Sequence, residues 1–477
     1  PTRRSSDLVW LTAFTASGTG GEFAQPCDAT VEAQTGISND LHENALKAAT
    51  AKGSETTPYN LSNNTGGNTV ENTANCYVVN APGYYSLPLV YGNAIKNSAT
   101  NASAYTSTVT GTNILNPFIN HAGNGITDPY ISGNGCTPAK AELVWQDAMN
   151  LVTDIKYNAD SNGGNISFKV DRSSIRQGNA VIAIKDVSDA ILWSWHVWVT
   201  DEDINNVIEI TNHQNVKYNF MPVNLGQCDG NTITYEERSC KVKFIAGDQS
   251  KEITIKQLAN VIATGSNAPF YQWGRKDPLY PSNGMGNTTK IWYDKEGIPS
   301  TANPMKGTFS AGNDCIKNCI LNPNLMHNRY NGDYTYYNLW SADNKTTSAN
   351  DNPVNKTIYD PCPVGFKLPA SNAFTGFTTT GESVSSSTQV NGTWSSSEKG
   401  WYFYTNSEKT QSIFFPALGY RSYSTMRPGS IGTQGCFWSA HPVAKGNNYY
   451  LRTSSVDVQP TYMVDRGFGY ALRPCQD

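Results

Sequence analysis

The chain has 477 residues, of which 16% are charged and 11% are aromatic, with 40 Gly and 26 Tyr. This composition is typical of β-rich domains with long polar loops, and the length allows roughly two to four domains. The formal net charge of −4 provides no basic surface, which argues against nucleic acid as a partner. A transmembrane helix is not expected, because the sequence has no run of about 18 apolar residues.

Residues 1–8 have the sequence Pro-Thr-Arg-Arg-Ser-Ser-Asp-Leu, which resembles the in-frame translation of a DNA-sequencing adapter. On this interpretation the native sequence begins near Val9, at a point that is already inside a domain. Its signal sequence would then be lost by truncation. The alternative is a genuine polar N-terminal tail. On the adapter interpretation these residues are left out of the prediction of the fold.

Residues 9–70 predict a truncated β domain followed by a linker. Within them, 41–52 has the pattern of a short helix with Asp40 as a candidate N-cap. The segment 60–72 is polar and rich in Gly and Asn, which favours a domain boundary.

Residues 191–200 alternate strictly between two faces, as a strand does. Because each Trp buries roughly 150–250 Å², both faces of this strand must be mostly covered. We predict that it is central in a β-sandwich module at 71–203 and pairs with 179–184 as a hairpin. His196 is interpreted as a hydrogen-bonded core histidine, and 160–164 as a hairpin turn rather than a calcium loop. The strand carries Trp193, Trp195 and Trp198.

The composition changes after residue 207, and the remainder, 204–477, is predicted as a second module. Short strand candidates precede a predicted short helix at 258–264, and about eighty loop-rich residues follow 270–278. Towards the end, short aromatic strands alternate with Gly- and Ser-rich turns. The pattern is that of a mainly β fold with some α+β character.

The ten cysteines are dispersed without a Cys-x-x-Cys pair, and the six histidines are scattered, so a zinc site is not expected. An even number of dispersed cysteines favours disulfides in an oxidising compartment; reduced, buried thiols are the alternative. Cys228 and Cys240 flank a polar turn, so a bridge between them would close a short loop. Cys315 and Cys319, four residues apart, are a further candidate pair in a turn or an irregular helix end.

Three segments of the sandwich region, 73–79, 178–183 and 191–201, carry a family resemblance. They resemble the middle module of surface lipoproteins and fimbrial, fimbrillin-related proteins of gut Bacteroidetes. The resemblance implies a secreted protein that is outer-membrane-attached or fimbrial.

The segments 270–278, 359–369 and 469–475 are similar to the C-terminal module of the same proteins. That module resembles the Fibrobacter succinogenes major paralogous domain, which has a C-type-lectin-like fold. The resemblance therefore implies a β-sandwich module followed by a C-type-lectin-like module. A bridge between Cys362 and Cys475 would link the Asp-Pro-Cys-Pro corner to the last strand. On a chain-entropy model, such a bridge would stabilise the fold by about 5 kcal/mol.

Two short aromatic segments, 400–405 and 419–423, offer candidate ligand contacts, because aromatic rings stack on sugar rings and Arg binds hydroxyl groups. The alternative is that these are ordinary core strands. A period of two places Trp401 with Phe403 on one face and Tyr402 with Tyr404 on the other, so at most one pair is exposed. The candidate ligand-binding residues are Trp401, Tyr402, Tyr404, Tyr420 and Arg421.

These observations favour a cell-surface or pilus-tip adhesin that contacts a host or microbial glycan or a surface protein. The alternatives are a structural fimbrial subunit that pairs with other pilin subunits by strand donation, and a carbohydrate-processing enzyme with paired carboxylates. An enzyme is the least favoured, since no Gly-x-Ser-x-Gly, phosphate-loop or His-Glu-x-x-His motif occurs. The sugar-binding triplets Glu-Pro-Asn and Gln-Pro-Asp are also missing, and neither a cofactor nor a metal is expected.

Overall fold

The fold is mainly β, with 38% of residues in strands and 7% in helices, which confirms the predicted fold class at this level. The predicted adapter-derived residues 1–8 lie outside the part of the chain that the structure describes. A computed structural model describes residues 11–16, 29–33, 37–38, 40–161, 163–246, 248–328, 336–444 and 446–477.

The chain divides into two compact units, of which the smaller comprises Pro1–Leu41 and Gly230–Gly265. The larger comprises His42–Asp229 and Ser266–Asp477, so the predicted module boundaries at residues 70 and 203 do not coincide with this division. The strands of the smaller unit are β1 (Leu11–Ala16), β2 (Ala29–Ala33), β3 (Ile37–Ser38), β16 (Thr232–Tyr235), β17 (Arg238–Ala246), β18 (Gln249–Gln257) and β19 (Asn260–Ala263).

Residues 258–264 do not form the predicted helix. They contain β19, which lies at the edge of a three-stranded sheet in the order β19-β16-β3. Val261 and Ile262 pair with Thr234 and Ile233 of β16. The prediction was wrong because β-branched side chains favour an extended backbone when a partner strand is present.

A six-stranded sheet forms the centre of the larger unit, in the order β22-β21-β9-β12-β13-β5. The Trp-rich strand β13 pairs with β12 antiparallel and with β5 parallel, and its three Trp side chains are fully buried, as predicted. Tyr293 of β21 pairs with Gln146 of β9, so both predicted modules contribute strands to one sheet. The strands are β5 (Cys76–Val79), β9 (Lys140–Gln146), β12 (Gly178–Lys185), β13 (Ile191–Val199), β21 (Trp292–Tyr293) and β22 (Pro299–Ser300).

A four-stranded sheet has the order β10-β11-β6-β4, with β10 at an edge. The turn between β10 and β11 is the predicted hairpin, in which the Asp160 carboxylate accepts a hydrogen bond of 2.9 Å from the Gly164 amide. The helix predicted at 41–52 is present as α1 (Leu41–Ala48). The strands are β4 (Tyr59–Asn60), β6 (Gly83–Pro88), β10 (Thr153–Asn158) and β11 (Asn165–Val170), and a separate ribbon pairs β7 (Ile95–Lys96) with β8 (Ala99–Thr100).

In the described residues, the C-terminal part of the larger unit is built from short strands, two short 3-10 helices and the α-helix α2 (Asn313–Leu321). Cys475 on the last strand pairs with Phe220 on one side and Lys367 on the other, which joins distant parts of this region. The strands are β14 (Ile208–Thr211), β15 (Lys217–Phe220), β20 (Tyr271–Gln272), β23 (Met305–Gly307), β24 (Leu325–His327), β25 (Phe366–Lys367), β26 (Gly392–Ser395), β27 (Gly400–Tyr404), β28 (Ser412–Pro416), β29 (Tyr420–Arg421), β30 (Pro428–Gly429), β31 (Gln434–Pro442), β32 (Asn447–Ser454), β33 (Val458–Asp465), β34 (Gly469–Tyr470) and β35 (Cys475–Gln476).

Candidate ligand-binding face

The sheet β26-β27-β28 has a buried face of stacked aromatic rings. Trp401 and Phe403 share this face, and the Phe403 ring lies 3.9 Å from the Phe377 ring in a parallel stack. The Trp401 indole donates a hydrogen bond of 2.7 Å to the Ser454 carbonyl. The period of two predicted from the sequence is thus confirmed, and this side of the sheet supplies a rigid base for the other.

The opposite side of the same sheet carries partly exposed aromatic rings. Tyr402 pairs with Phe414 across the strands, and their ring centroids are 4.7 Å apart. A Cβ atom at Gly400 would lie only 2.5 Å from the Phe414 ring, so the glycine provides the space this ring occupies. Tyr404 follows on the same side of β27 and is also half-buried.

Polar groups surround these rings and hold their hydroxyls. The Tyr402 hydroxyl donates a hydrogen bond of 2.7 Å to the Glu398 carboxylate, and this bond raises the pKa of Tyr402. The Tyr404 hydroxyl lies 2.6 Å from the Thr393 hydroxyl, and the Lys409 ammonium lies 5.5 Å from the Tyr404 ring centroid. We call this surface the outer aromatic face, and it comprises Thr393, Glu398, Tyr402, Tyr404, Lys409 and Phe414.

The outer aromatic face has the chemistry of a sugar-binding surface. Aromatic rings cover the apolar face of a sugar ring, while carboxylate, hydroxyl and ammonium groups bind its hydroxyls. Because the sheet is fixed from below by the core, the rings are held in place before any ligand arrives.

Two of the five predicted ligand-binding residues lie in the interior, and this corrects the prediction. Trp401 is 1% exposed and Arg421 is 0% exposed, so neither side chain is accessible to a ligand. The Arg421 guanidinium donates hydrogen bonds of 2.6 Å to the carbonyls of Met426 and Tyr280, and burial lowers the pKa of Arg421 to about 9. The Arg421 side chain therefore links the chain near Tyr280 to the chain near Met426.

Tyr420 is half-buried and belongs to a different aromatic group. Its ring packs edge to face against the Phe468 ring, with the ring centroids 5.5 Å apart. Tyr420 belongs to β29, which lies in a different sheet, in the order β20-β34-β29-β30. The structure therefore brings together only Tyr402 and Tyr404 of the predicted residues. It adds Phe414 and Glu398, which sequence reasoning missed, because Phe414 lies in a continuous apolar run, 413–415, that lacks the alternation needed to tell an exposed ring from a buried one.

The predicted disulfide partners lie in several places. Cys362 and Cys475 are buried and within electrostatic reach of each other, and burial raises the pKa of Cys475 to about 12. Their thiols are not joined in the structure, so this bridge stays a prediction.

Cys228 belongs to the larger unit and Cys240 to the smaller one. Both are buried thiols in the structure, and a bridge between them stays a prediction. Cys315 and Cys319 lie one turn apart on the regular helix α2, where both side chains are buried. A bridge between them stays a prediction.

A cluster of ionisable side chains lies beside α1. The His42 ring has Nδ1 3.0 Å from the Asp201 carboxylate and Nε2 3.4 Å from the Asp229 carboxylate. His42, Glu202 and Asp229 present ligand atoms within 4.8 Å of one another, a donor set that divalent cations accept. Burial and the neighbouring carboxylates of Asp229 and Asp201 raise the pKa of Glu202. The sequence did not indicate this cluster because His42 is 159 residues away from Asp201 in the chain.

Comparisons of this chain with known proteins identified no related protein. No protein-family model, no curated protein and no solved structure matches the chain. Among the described residues, no helix has the length and apolar character needed to cross a membrane.

Proposed function

We propose that this protein is a secreted, cell-surface or pilus-tip adhesin that binds glycan or protein ligands through the outer aromatic face. The observation that carries the proposal is the pair of half-exposed rings of Tyr402 and Phe414, 4.7 Å apart on a sheet whose other face is core. Glu398, bonded to the Tyr402 hydroxyl, places a charged hydrogen-bond acceptor beside the rings. An aromatic surface with a few polar groups is the general composition of a ligand site.

The resemblance to fimbrillin-related surface proteins supports the extracellular location. A C-type-lectin-like module, with its ends brought together, is compatible with the arrangement of the last strand. That strand, β35, lies between β15 and β25, so the beginning and end of residues 204–477 pair directly. Such folds carry long loops on one side, where ligand contacts are commonly made.

The test is a binding screen of the whole chain against neutral and acidic glycans, mucin and matrix proteins, with and without calcium. We expect saturable binding that weakens at least tenfold in Tyr402→Ala and in Phe414→Ala. The matched control is Tyr462→Ala, because Tyr462 is a partly exposed strand tyrosine that lies outside the outer aromatic face. The proposal fails if the folded wild-type chain binds nothing, or if the control weakens binding equally.

A second candidate function, a structural surface-assembly subunit, is favoured by one observation. Strand β10 lies at a sheet edge, and a groove of about 550 Å³ opens between it and β9. Leu143, Val152 and Ile155 supply apolar walls, so an added strand would find both backbone partners and side-chain contacts.

The assembly role has its own test. Glu296 lines the groove, and Glu296→Trp would fill it with a bulky ring. We expect the wild-type chain to form oligomers or filaments visible by light scattering and electron microscopy, and the variant to remain monomeric. The control Glu382→Trp changes an exposed glutamate elsewhere. A monomeric wild-type chain at high concentration would reject this role without affecting the adhesin proposal.

A further inference from the structure

A polar cleft lies in the sandwich region, formed by different residues from the outer aromatic face. Its volume is about 250 Å³. Its lining includes Ser86 on β6, Asn165 at the start of β11, Tyr130 and Asp160. The complete lining is Asn60, Asn68, Val70, Ser86, Pro88, Tyr130, Asp160, Gly164 and Asn165.

The loop that forms one wall of the cleft is held by its own side chains. Asn60 donates hydrogen bonds of 3.0 and 3.3 Å to the carbonyls of Gly67 and Thr69. Asn63 donates a further bond of 3.0 Å to Thr69 and accepts one of 2.9 Å from the Gly67 amide. The composition of 60–72 predicts a linker, but these bonds fix it as a rigid wall. A binding site whose walls are already ordered loses less entropy when a ligand binds.

Hydrogen-bonding groups line this cleft on more than one side. The Asn165 carbonyl oxygen accepts a bond of 3.1 Å from Asn158, which orients the Asn165 amide and leaves its NH₂ group as a donor. The Asp160 carboxylate accepts a hydrogen bond of 2.9 Å from the Gly164 amide and brings an acidic side chain to the lining of the cleft. Asn68 is an exposed amide at the rim. Vicinal sugar hydroxyls need such a mixture of donors and acceptors.

The charge in the cleft selects against acidic ligands. Besides burial, the carboxylates of Asp128 and Asp160 raise the pKa of Tyr130, so their negative charge reaches the wall that this ring forms. The half-buried Tyr130 ring supplies an apolar surface next to the polar groups. A neutral sugar could contact both the Tyr130 ring and the polar groups, whereas the negative charge would repel a carboxylated or sulfated sugar.

We propose that this cleft binds one residue of a neutral saccharide. In the expected mode, the Asn165 and Asn68 amides bond to ring hydroxyls, and a neighbouring hydroxyl lies beside the Asp160 carboxylate. The apolar side of the sugar covers the Tyr130 ring. This site is independent of the proposed function, because it shares no residue with the outer aromatic face.

The experiment is saturation-transfer NMR on the whole chain. The neutral ligands are methyl α-mannoside, methyl β-galactoside and N-acetylglucosamine, with N-acetylneuraminic acid as the acidic comparison. We expect transfer to at least one neutral sugar and none to the acidic one. Asp160→Asn should weaken binding at least tenfold, since it keeps the oxygen that accepts Gly164 but removes the charge. Asn68→Ala should weaken binding severalfold, and it remains informative if Asp160→Asn does not fold.

Tyr462→Ala serves as the control, because Tyr462 is an exposed strand tyrosine outside both the cleft and the outer aromatic face and its loss should leave this binding unchanged. Loss of monosaccharide binding in Tyr402→Ala, with binding retained in both cleft variants, would assign the signal to the outer aromatic face and overturn the inference. The inference also fails if no neutral sugar receives saturation from the folded chain, or if both cleft variants bind as the wild type does. Equal transfer to the acidic sugar would contradict the charge argument that it depends on.

Discussion

The indole ring of Trp193 stacks on the phenol ring of Tyr359, with the ring centroids 6.2 Å apart and the planes at 26°. This contact joins the Trp-rich strand β13 to the Pro-rich corner at 359–369. Asn75 strengthens the junction, because it accepts the Trp193 indole N–H at 3.1 Å and donates to the carbonyls of Ile358 and Asp360 at 2.6 and 2.8 Å. The two predicted modules therefore share buried polar contacts as well as a sheet.

Replacing Asn75 should destabilise the larger unit. Asn75→Ala leaves three buried partners without hydrogen bonds, so the free energy of unfolding should fall by about 3 kcal/mol. Urea unfolding followed by Trp fluorescence measures the change. The exposed Asn352 provides the control, since Asn352→Ala should change the free energy by less than about 0.5 kcal/mol. Equal stability of Asn75→Ala and the wild type would show that the junction contributes little.

A fragment of residues 204–477 should not fold cooperatively without the strands of residues 71–203. In the whole chain, the buried Lys276 ammonium bonds to the Ser194 hydroxyl at 2.6 Å and lies 4.4 Å from the Trp193 ring centroid. Without them Lys276 keeps its ion pair with Asp277 but loses its bonds to Ser194, and a buried ion pair that loses its other hydrogen bonds is destabilised. Near-UV circular dichroism should show weak signals and a broad urea transition for the fragment. A sharp transition at the midpoint of the whole chain would contradict this expectation.

Trp401 and Tyr402 are neighbours in sequence but should respond differently to truncation. Trp401→Ala removes a buried ring and should lower the free energy of unfolding by about 3–5 kcal/mol. Tyr402→Ala removes a half-exposed ring, and its effect on stability should be smaller, while its effect on ligand binding should be larger. Thermal unfolding and the binding screen together separate the two effects. If Trp401→Ala were as stable as the wild type, the assignment of the buried face would be wrong.

His196 should make the protein less stable in mild acid. Its Nε2 donates to the Asn179 carbonyl oxygen at 2.9 Å, its Nδ1 accepts from the Tyr271 hydroxyl at 3.2 Å, and burial lowers its pKa to about 3. Below an unfolded pKa of about 6.5 the unfolded chain binds a proton that the folded chain does not, so stability falls as pH falls. Between pH 6.5 and 5 the loss should be about 2 kcal/mol.

The variant His196→Gln tests this pH dependence, because glutamine keeps polar groups but does not titrate. Its free energy of unfolding should vary less between pH 6.5 and 5 than that of the wild type. His213→Gln is the matched control at an exposed position and should retain the wild-type slope. Identical slopes for the wild type and His196→Gln would assign the acid sensitivity to other groups.

Cys362 and Cys475 should form a disulfide when the chain folds under oxidising conditions. Both thiols are buried and close enough to interact electrostatically, and Cys475 is fixed in a strand that pairs with Lys367. Peptide mapping without reduction should recover the linked peptides, and a reductant should lower the thermal midpoint of the wild type more than that of Cys475→Ser. Recovery of both residues as free thiols after oxidative folding would reject the bridge and weaken the extracellular assignment.

The strength of local patterns decided which elements the sequence could predict. Strand β13 was predictable because alternation and three Trp left few other arrangements. The outer aromatic face was predictable in part, since a period of two separates Tyr402 and Tyr404 from Trp401. The burial of Arg421 was not predictable, because it depends on the carbonyl groups of Tyr280 and Met426, which only the tertiary fold brings together.

The polar cleft illustrates a different limit of sequence reasoning. The Gly- and Asn-rich segment 60–72 has the composition of a flexible connection. Its order depends on which amide bonds to which carbonyl, as between Asn60 and Gly67, and composition does not contain that information. Short-range side-chain hydrogen bonds can thus turn a polar segment into a fixed surface.

The central sheet also has a kinetic consequence. Its neighbouring strands come from positions as distant as Cys76–Val79 and Ile191–Val199, and from Lys140–Gln146 and Trp292–Tyr293. Each of these pairings closes a long loop before it gains any stabilising contact, and high contact order slows folding. Refolding of the larger unit should therefore be slow, and the half-assembled sheet, with its Trp side chains still exposed, is the species most prone to aggregate.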